Sequence, residues 1–238
     1  MIRNWIAGER RELAGLLAGL SAAQWDAPSL CDGWAVRHVV AHLTMPFRYS
    51  PARFMLGLVM ARGSFQRMSD GVARRDAELP QAQLVAAVAD NTEHPWKPPG
   101  GGYPGALTHD VIHGLDISRA LGLELEIPAE PMAAVLDAVP GSSSRRHFGV
   151  HADEVQLVAS DLEWSGGTGA PVHGRAQDLA LLLTGRRVPD GALTGAGARL
   201  LTGADGVAGA DGVAGAAAVA GMAGLAGSAW PRAESSGR

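Results

Sequence analysis

The sequence predicts a mainly α-helical protein, with a helical bundle over residues 1–140, a small α+β unit over 142–202 and an Ala/Gly-rich tail over 203–238. Apolar residues recur at helical spacing through most of the first 140 residues, which is the signature of packed amphipathic helices. Between 154 and 164 the pattern changes to a short alternating run, and beyond 203 large apolar side chains almost disappear.

The elements follow in order. Residues 2–20 carry Ile2, Trp5, Ile6, Leu13, Leu16, Leu17 and Leu20 along one side of a first helix. Residues 21–33 read as a turn, with Pro28 and Gly33 as breakers and Asp32 as a candidate N-cap for a second helix over 34–44. That helix turns Val36, Val39, Val40 and Leu43 inward. A further helix is expected over 51–68, with Phe54, Leu58 and Phe65 on one face, and another over 80–93 around Leu84, Val85 and Val88. Residues 94–105 (HPWKPPGGGYPG) are expected to form a loop, because proline removes donors and glycine adds backbone entropy. Its length is enough to suspect a role in function. The next helix spans 106–121, apolar at Leu107, Val111, Ile112, Leu115 and Leu121, with Gly122 as its stop.

Residues 129–139 read as one more helix, and 140–146 (PGSSSRR) has linker composition. Residues 154–164 read as one or two strands, 166–171 as a turn, and 176–183 as a short helix ending at Gly185. The tail repeats GADGVA at 203 and 209 and has too few large side chains to offset ordering entropy, so it is expected to be disordered or weakly helical. Its stretch 213–229 is uncharged and about as long as the shortest membrane span, which leaves a C-terminal anchor as the minor alternative to a chain without membrane contact.

Composition excludes several classes. The net charge of -4, with both signs interspersed, gives no basic stripe for a nucleic-acid partner. Cys31 is the single cysteine, so a disulfide framework and a thiolate zinc cluster are both ruled out within one chain. Any metal site must then be built from His, Asp or Glu. Glu9, Arg10, Arg11 and Glu12 interrupt the apolar core a signal peptide would need, so a cytoplasmic protein is expected. A homodimer face and a bundle face look alike in one sequence, and a homodimer stays open.

His109 and His113 stand four apart on a predicted helix, which projects both imidazoles from one face, one turn apart. Two such rings can chelate one divalent ion, and His42 on the second helix is the natural third ligand. Asp116, seven residues beyond His109, could orient an imidazole through its second nitrogen or ligate directly. His38 lies four before His42 and reads as a surface residue or a support for the site; His147, His151 and His173 have no ligand spacing. The stretch HDVIH (109–113) differs from the zincin protease motif by one methylene at the general base, which makes a protease a minor reading.

Gly100, Gly102 and Gly105 satisfy G-x-G-x-x-G, but no strand precedes them and Pro104 lacks an amide donor, so the loop is expected to cover the metal site instead. Trp96 and Tyr103 would line it. Cys31 is expected to be a buried, inert thiol rather than a reactive one. Arg37 and Arg119 are candidates to contact an anionic thiol cofactor or a carboxylate, with helix-surface ion pairs as the commoner alternative.

The stretch PSLCDGWAVRHVVAHL (28–43), followed by LTHDVIHGLDISRAL (107–121), resembles the DinB/YfiT-like four-helix metal-binding superfamily, and within it the mycothiol-dependent maleylpyruvate isomerase branch. The resemblance implies a DinB-like four-helix bundle with His42, His109 and His113 as metal ligands. The C-terminal stretch 155–187 is similar to the unit often attached in that branch. Two departures stand out: the isomerase typically has Glu where this chain has His109, and Ser or Thr where it has Ala35, so the helix cap must come from elsewhere, such as Asp32. The implied cofactors are a divalent metal, Zn or Ni first, and mycothiol as co-substrate. The implied chemistry is a thiol transferase or isomerase acting on a small electrophile, with Asp116 as its catalytic-site carboxylate and Arg119 and Tyr103 toward the thiol cofactor. The alternative from another class is a non-catalytic metal or small-molecule binding protein with the same fold.

Overall fold

The structure, a computed structural model, describes residues 1–139 and 154–201. It is mainly helical, with a small three-stranded sheet in its C-terminal part. The expectations for 140–146, for His147 and His151, and for the tail over 203–238 lie outside the described residues.

Helix α1 (Ile2–Ala18) is followed by a short helix α2 (Ala22–Asp26) where a turn was expected. Ser21 and Gln24 nucleate it reciprocally, the Gln24 amide donating to Ser21 Oγ while the Ser21 amide donates to Gln24 Oε1. Helix α3 (Val36–Arg48) runs past the expected end at 44 and through Pro46. Its start is supported not by Asp32 but by His38, whose Nδ1 accepts from the Ala35 amide at 3.0 Å.

The single helix expected over 51–68 is two, α4 (Pro51–Met60) and α5 (Phe65–Asp76). The break falls at Arg62 and Gly63, whose φ angles of 53° and 76° are left-handed and end a helix. Ser64 then caps α5 by accepting from the Arg67 amide at 3.3 Å. Helix α6 (Gln81–Ala89) and helix α7 (Gly102–Ser118) complete the bundle. The expected loop is shorter than its composition suggested, since 102–105 belong to the first turn of α7, where Pro104 loses no helical hydrogen bond. Helix α8 (Ala129–Ala138) lies where 129–139 predicted it.

Strands β1 (Val155–Ala159), β2 (Ser165–Gly167) and β3 (Ala170–Gly174) form one sheet in the order β2-β1-β3. Strand β1 pairs antiparallel with β2 and parallel with β3, with Leu157 opposite both Gly166 and Val172. The expected turn over 166–171 therefore contributes to two strands. Helix α9 (Ala176–Leu183) and the one-turn α10 (Ala198–Leu201) follow.

Helices α1, α6, α3 and α7 contact one another in a closed ring, with α5 against α3 and α8 against α7. One end of the core joins Leu13, Leu17, Trp25, Trp34, Val39, Val40, Leu84 and Ile117. The other joins Ile6, Leu107, Val111, Ile112 and Leu115 to Met132 and Leu136 of α8, and on to Leu157, Val172, Leu179 and Leu182. Each fully buried Leu or Ile contributes roughly 1.5–3 kcal/mol, so the continuous apolar cluster fastens the small unit to the bundle. Helix α7 is the centre of both: every residue from Ala106 to Ser118 is buried. Its polar side chains must therefore find partners inside the protein.

Candidate metal centre

His42 comes from α3, and His109 and His113 from successive turns of α7; all three are buried, none more than 1% exposed. The i, i+4 spacing does what the sequence predicted, setting the His109 and His113 rings 4.9 Å apart, while α3 lays His42 across both at 5.2 and 5.0 Å. One ligand atom from each lies within 4.8 Å of the others.

Each imidazole is held by a different partner at Nδ1. His113 Nδ1 meets Asp116 Oδ2 at 2.9 Å, His109 Nδ1 meets Asp110 Oδ1 at 3.0 Å, and His42 Nδ1 meets Ser69 Oγ at 2.9 Å. A carboxylate at Nδ1 keeps the proton on that nitrogen and turns the lone pair to Nε2, the arrangement metal-bound histidines use. His109 Nε2 and His42 Nε2 are 3.3 Å apart, and His113 Nε2 is buried without a hydrogen-bond partner. Two nitrogens bound to one tetrahedral ion at ~2.0–2.1 Å stand about 3.3 Å apart, so the donor set fits a divalent cation.

Behind the rings, the two carboxylates are each neutralised by an arginine. Arg10 of α1 donates from Nε to Asp110 Oδ2 at 2.7 Å. Arg186, just beyond α9, donates from Nε and Nη2 to the two oxygens of Asp116 at 3.0 and 2.9 Å. Burial alone would raise Asp116, but Arg186 and His113 outweigh it and hold the carboxyl well below its usual range. Burial pushes His113 down to about 4 and His42 well below its ordinary value, aided for His42 by the neighbouring rings. Both are neutral at pH 7, the form that ligates.

Asp116 engages His113 Nδ1, the contact that the orienting one of its two expected roles requires. Cys31 donates its thiol proton to the same Asp116 oxygen at 3.0 Å, and burial followed by the Asp116 charge raises its pKa far above normal. The thiol is buried, as expected. The ligand atoms of Cys31, His113 and Asp116 also lie within 4.8 Å of one another. A cation there would meet the Arg186 guanidinium on the same carboxylate. Asp110, the residue that stood for a protease base in HDVIH, is spent on His109 and Arg10, which argues against that reading.

Arg119 is drawn to α9, donating to Asp178 at 2.6 Å, and the Arg37 guanidinium lies 2.7 Å from Asp26. Tyr103 lies half-buried in the first turn of α7, with Lys97 Nζ 5.1 Å and the Arg3 guanidinium 5.8 Å from its ring centre. Trp96 meets His109 edge-on at 5.0 Å, and Trp34 flanks His42 at 5.4 Å. Sequence reasoning missed Ser69, Arg10 and Arg186. The first lay in a stretch assigned no element, and the arginines are remote in sequence from the histidines they support; Asp110, adjacent to His109, was the one readable signal.

Residues 6–97 match the family model described as the mycothiol maleylpyruvate isomerase N-terminal domain. The likeness read from 28–43 thus holds over a segment that contains it, and His42 lies inside that segment. Among solved structures, the chain aligns with the crystal structure of a mycothiol-dependent maleylpyruvate isomerase mutant carrying alanine in place of a histidine. The identity is 11%, the alignment covers 82% of this chain and 91% of that one, and the TM-score is 0.47. No curated protein matches the chain.

Proposed function

From a chain whose residues 6–97 match the mycothiol maleylpyruvate isomerase N-terminal domain, we propose a metal-dependent enzyme that uses a low-molecular-weight thiol, mycothiol first, on a small electrophile. His42, His109 and His113 are its metal ligands, with Zn or Ni as the ion. The observation that carries the reading is the convergence of three imidazoles whose Nδ1 atoms are all engaged, leaving His113 Nε2 buried and unpartnered.

A bound divalent cation would supply Lewis acidity, favouring the deprotonated form of an incoming thiol at neutral pH. The chain's own residues do the rest. Asp110 and Asp116 hold protons on the outer nitrogens of His109 and His113, so that the inner lone pairs stay available. Arg10 and Arg186 offset the charge of the two carboxylates behind the rings, which would leave the positive charge of a bound ion undiminished. Trp34 and Trp96 exclude water from two sides. Tyr103, between Arg3 and Lys97, marks an approach suited to an anionic or hydroxyl-rich thiol, whereas Arg119 in its bond to Asp178 serves the contact with α9. Addition of the thiolate to the electrophile gives an S-conjugate, or an isomerised product if the thiol leaves again.

Complete burial of the three rings favours one second reading, a non-catalytic protein that holds the ion. Purified protein loaded with Zn or Ni and given mycothiol with a maleylpyruvate-like or epoxide acceptor separates the two. Consumption of thiol or isomerisation of the acceptor supports the enzyme; stoichiometric metal with neither leaves the holder. Metal content by mass spectrometry tests the site beneath both readings, and unchanged stoichiometric metal in His113→Ala would remove it.

A further inference from the structure

Helix α4 (Pro51–Met60, PARFMLGLVM) has no buried residue, although most of its side chains are apolar. Met55, Leu56, Val59 and Met60 are 54%, 61%, 70% and 77% exposed, which makes α4 an apolar ridge standing clear of the bundle. It is fastened from below by Phe54 and Leu58, which pack with Phe65 against Met45, Met68 and Val72. A contiguous apolar surface of this kind, left uncovered by the described residues, marks a contact with something beyond them.

The charge around the ridge says what kind. Residues 48–75 contain six arginines and a single acid, Asp70, in a protein whose net charge is -4. Asp70 is already paired with Arg74, and the neighbouring Asp76 with Arg48 and Arg75. Arg53 is exposed on α4 itself, and the exposed Arg62, Arg67 and Arg75 line one cleft with Gly57 and Met60 of that helix. A second copy docked about a two-fold axis would set this arginine rim against itself, with both nearby acids spent. The surface complements an apolar layer with a negatively charged border.

We propose that α4 is a peripheral docking helix for an anionic phospholipid bilayer, with Met55, Leu56, Val59 and Met60 entering the acyl boundary and the flanking arginines meeting headgroup phosphates. No described helix is long and apolar enough to cross a membrane, so the contact lies along the surface. The bond is reversible and weakens with salt, because short apolar ridges and surface charge each contribute modestly.

Flotation of the full chain with phosphatidylcholine vesicles, alone or with a third phosphatidylglycerol, tests this. The chain should float with the anionic vesicles and much less with the neutral ones. Leu56→Glu with Met60→Glu should abolish flotation, while Arg53→Gln and Arg62→Gln should each weaken it about fivefold. All four side chains point outward, so circular dichroism and metal content should match the parent chain. Three results would overturn the proposal: no flotation with anionic vesicles at low salt, flotation that survives the double glutamate variant, or a dimer in light scattering that Leu56→Glu disperses. Survival would place the contact elsewhere, and the dispersed dimer would give the ridge to a second copy.

Discussion

Arg186, beyond α9, grips Asp116 of α7 through two bonds, Nε to Oδ1 at 3.0 Å and Nη2 to Oδ2 at 2.9 Å, while the same Oδ2 lies 2.9 Å from His113 Nδ1. The C-terminal unit thereby sets the orientation of a ring in the bundle. A third Arg186 bond, Nη1 to the Thr184 carbonyl at 2.7 Å, fixes the guanidinium itself.

Arg186→Met should therefore act at a distance from the proposed ion. Removing it leaves a buried, unpaired Asp116 carboxylate, which costs on the order of 3–5 kcal/mol in stability. Loss of the support for an oriented ligand should also weaken metal binding by about 10–100-fold. Asp116→Asn with Arg186→Met together should recover part of the stability but not the metal affinity, because no carboxylate then holds His113. Urea unfolding and metal titration followed by Trp34 and Trp96 fluorescence measure the two effects separately. Equal metal affinity in parent and Arg186→Met would show that the strut serves folding alone.

The partners of His42 and His109 predict a graded series. Asp110→Asn removes the charge that polarises His109 and leaves Arg10 buried without its counter-ion. Ser69→Ala removes only a neutral hydroxyl from His42. Metal affinity should fall about tenfold or more for Asp110→Asn and less for Ser69→Ala, with stability following the same order. Competition with a chromophoric chelator measures the ranking; a larger loss for Ser69→Ala would mean that orientation, not charge, governs the site.

How much of this was readable follows from the range of each interaction. The i, i+4 pair of His109 and His113 and the apolar faces of α1, α3 and α7 are local patterns, and they appear where the sequence placed them. The split between α4 and α5 depended on left-handed backbone at Arg62 and Gly63, and one unremarkable Arg-Gly step carries little signal for it. Pro104 sat in a run that read as loop, yet a first helical turn needs no amide donor at that position. The supports from Arg10, Ser69 and Arg186 are tertiary, and spacing along one chain does not encode which remote arginine meets which carboxylate. The proposed third ligand, His42, was suggested by its place on the second helix and singled out by the resemblance of 28–43 to a known motif.

Cys31 offers a test of how closed the centre is. It is 2% exposed, it donates to Asp116, and burial has pushed its thiol far from ionisation. A thiol-specific disulfide reagent at pH 8 should leave the native chain essentially unmodified and titrate one thiol in denaturant. Cys31→Ser should keep a donor to Asp116 and retain metal binding, whereas Cys31→Val should lower stability by about 1–2 kcal/mol through loss of that donor. Rapid native labelling would show that the region around Asp116 opens on the time scale of the reaction.

Glu9 sets a pH dependence opposite to that of the histidines. It is buried on α1, its Oε2 has no hydrogen-bond partner, and burial, followed by the charges of Asp110 and Glu12, raises its pKa from 4.5 to about 7. Between those values the unfolded chain releases the proton and the folded chain keeps it, so stability falls as pH rises through the window and levels off above about 7. His42 and His113, both depressed by burial, pull the other way: the unfolded chain takes up protons first, and stability falls as pH drops below about 6.5. The two effects overlap, so the informative quantity is the difference between Glu9→Gln and the parent chain. That difference should be near zero at pH 4.5 and grow to about 2–3 kcal/mol in favour of Glu9→Gln by pH 8, as the parent alone must bury a charge. Urea midpoints across the series measure it, and a difference constant with pH would place the Glu9 carboxyl in water rather than in the bundle.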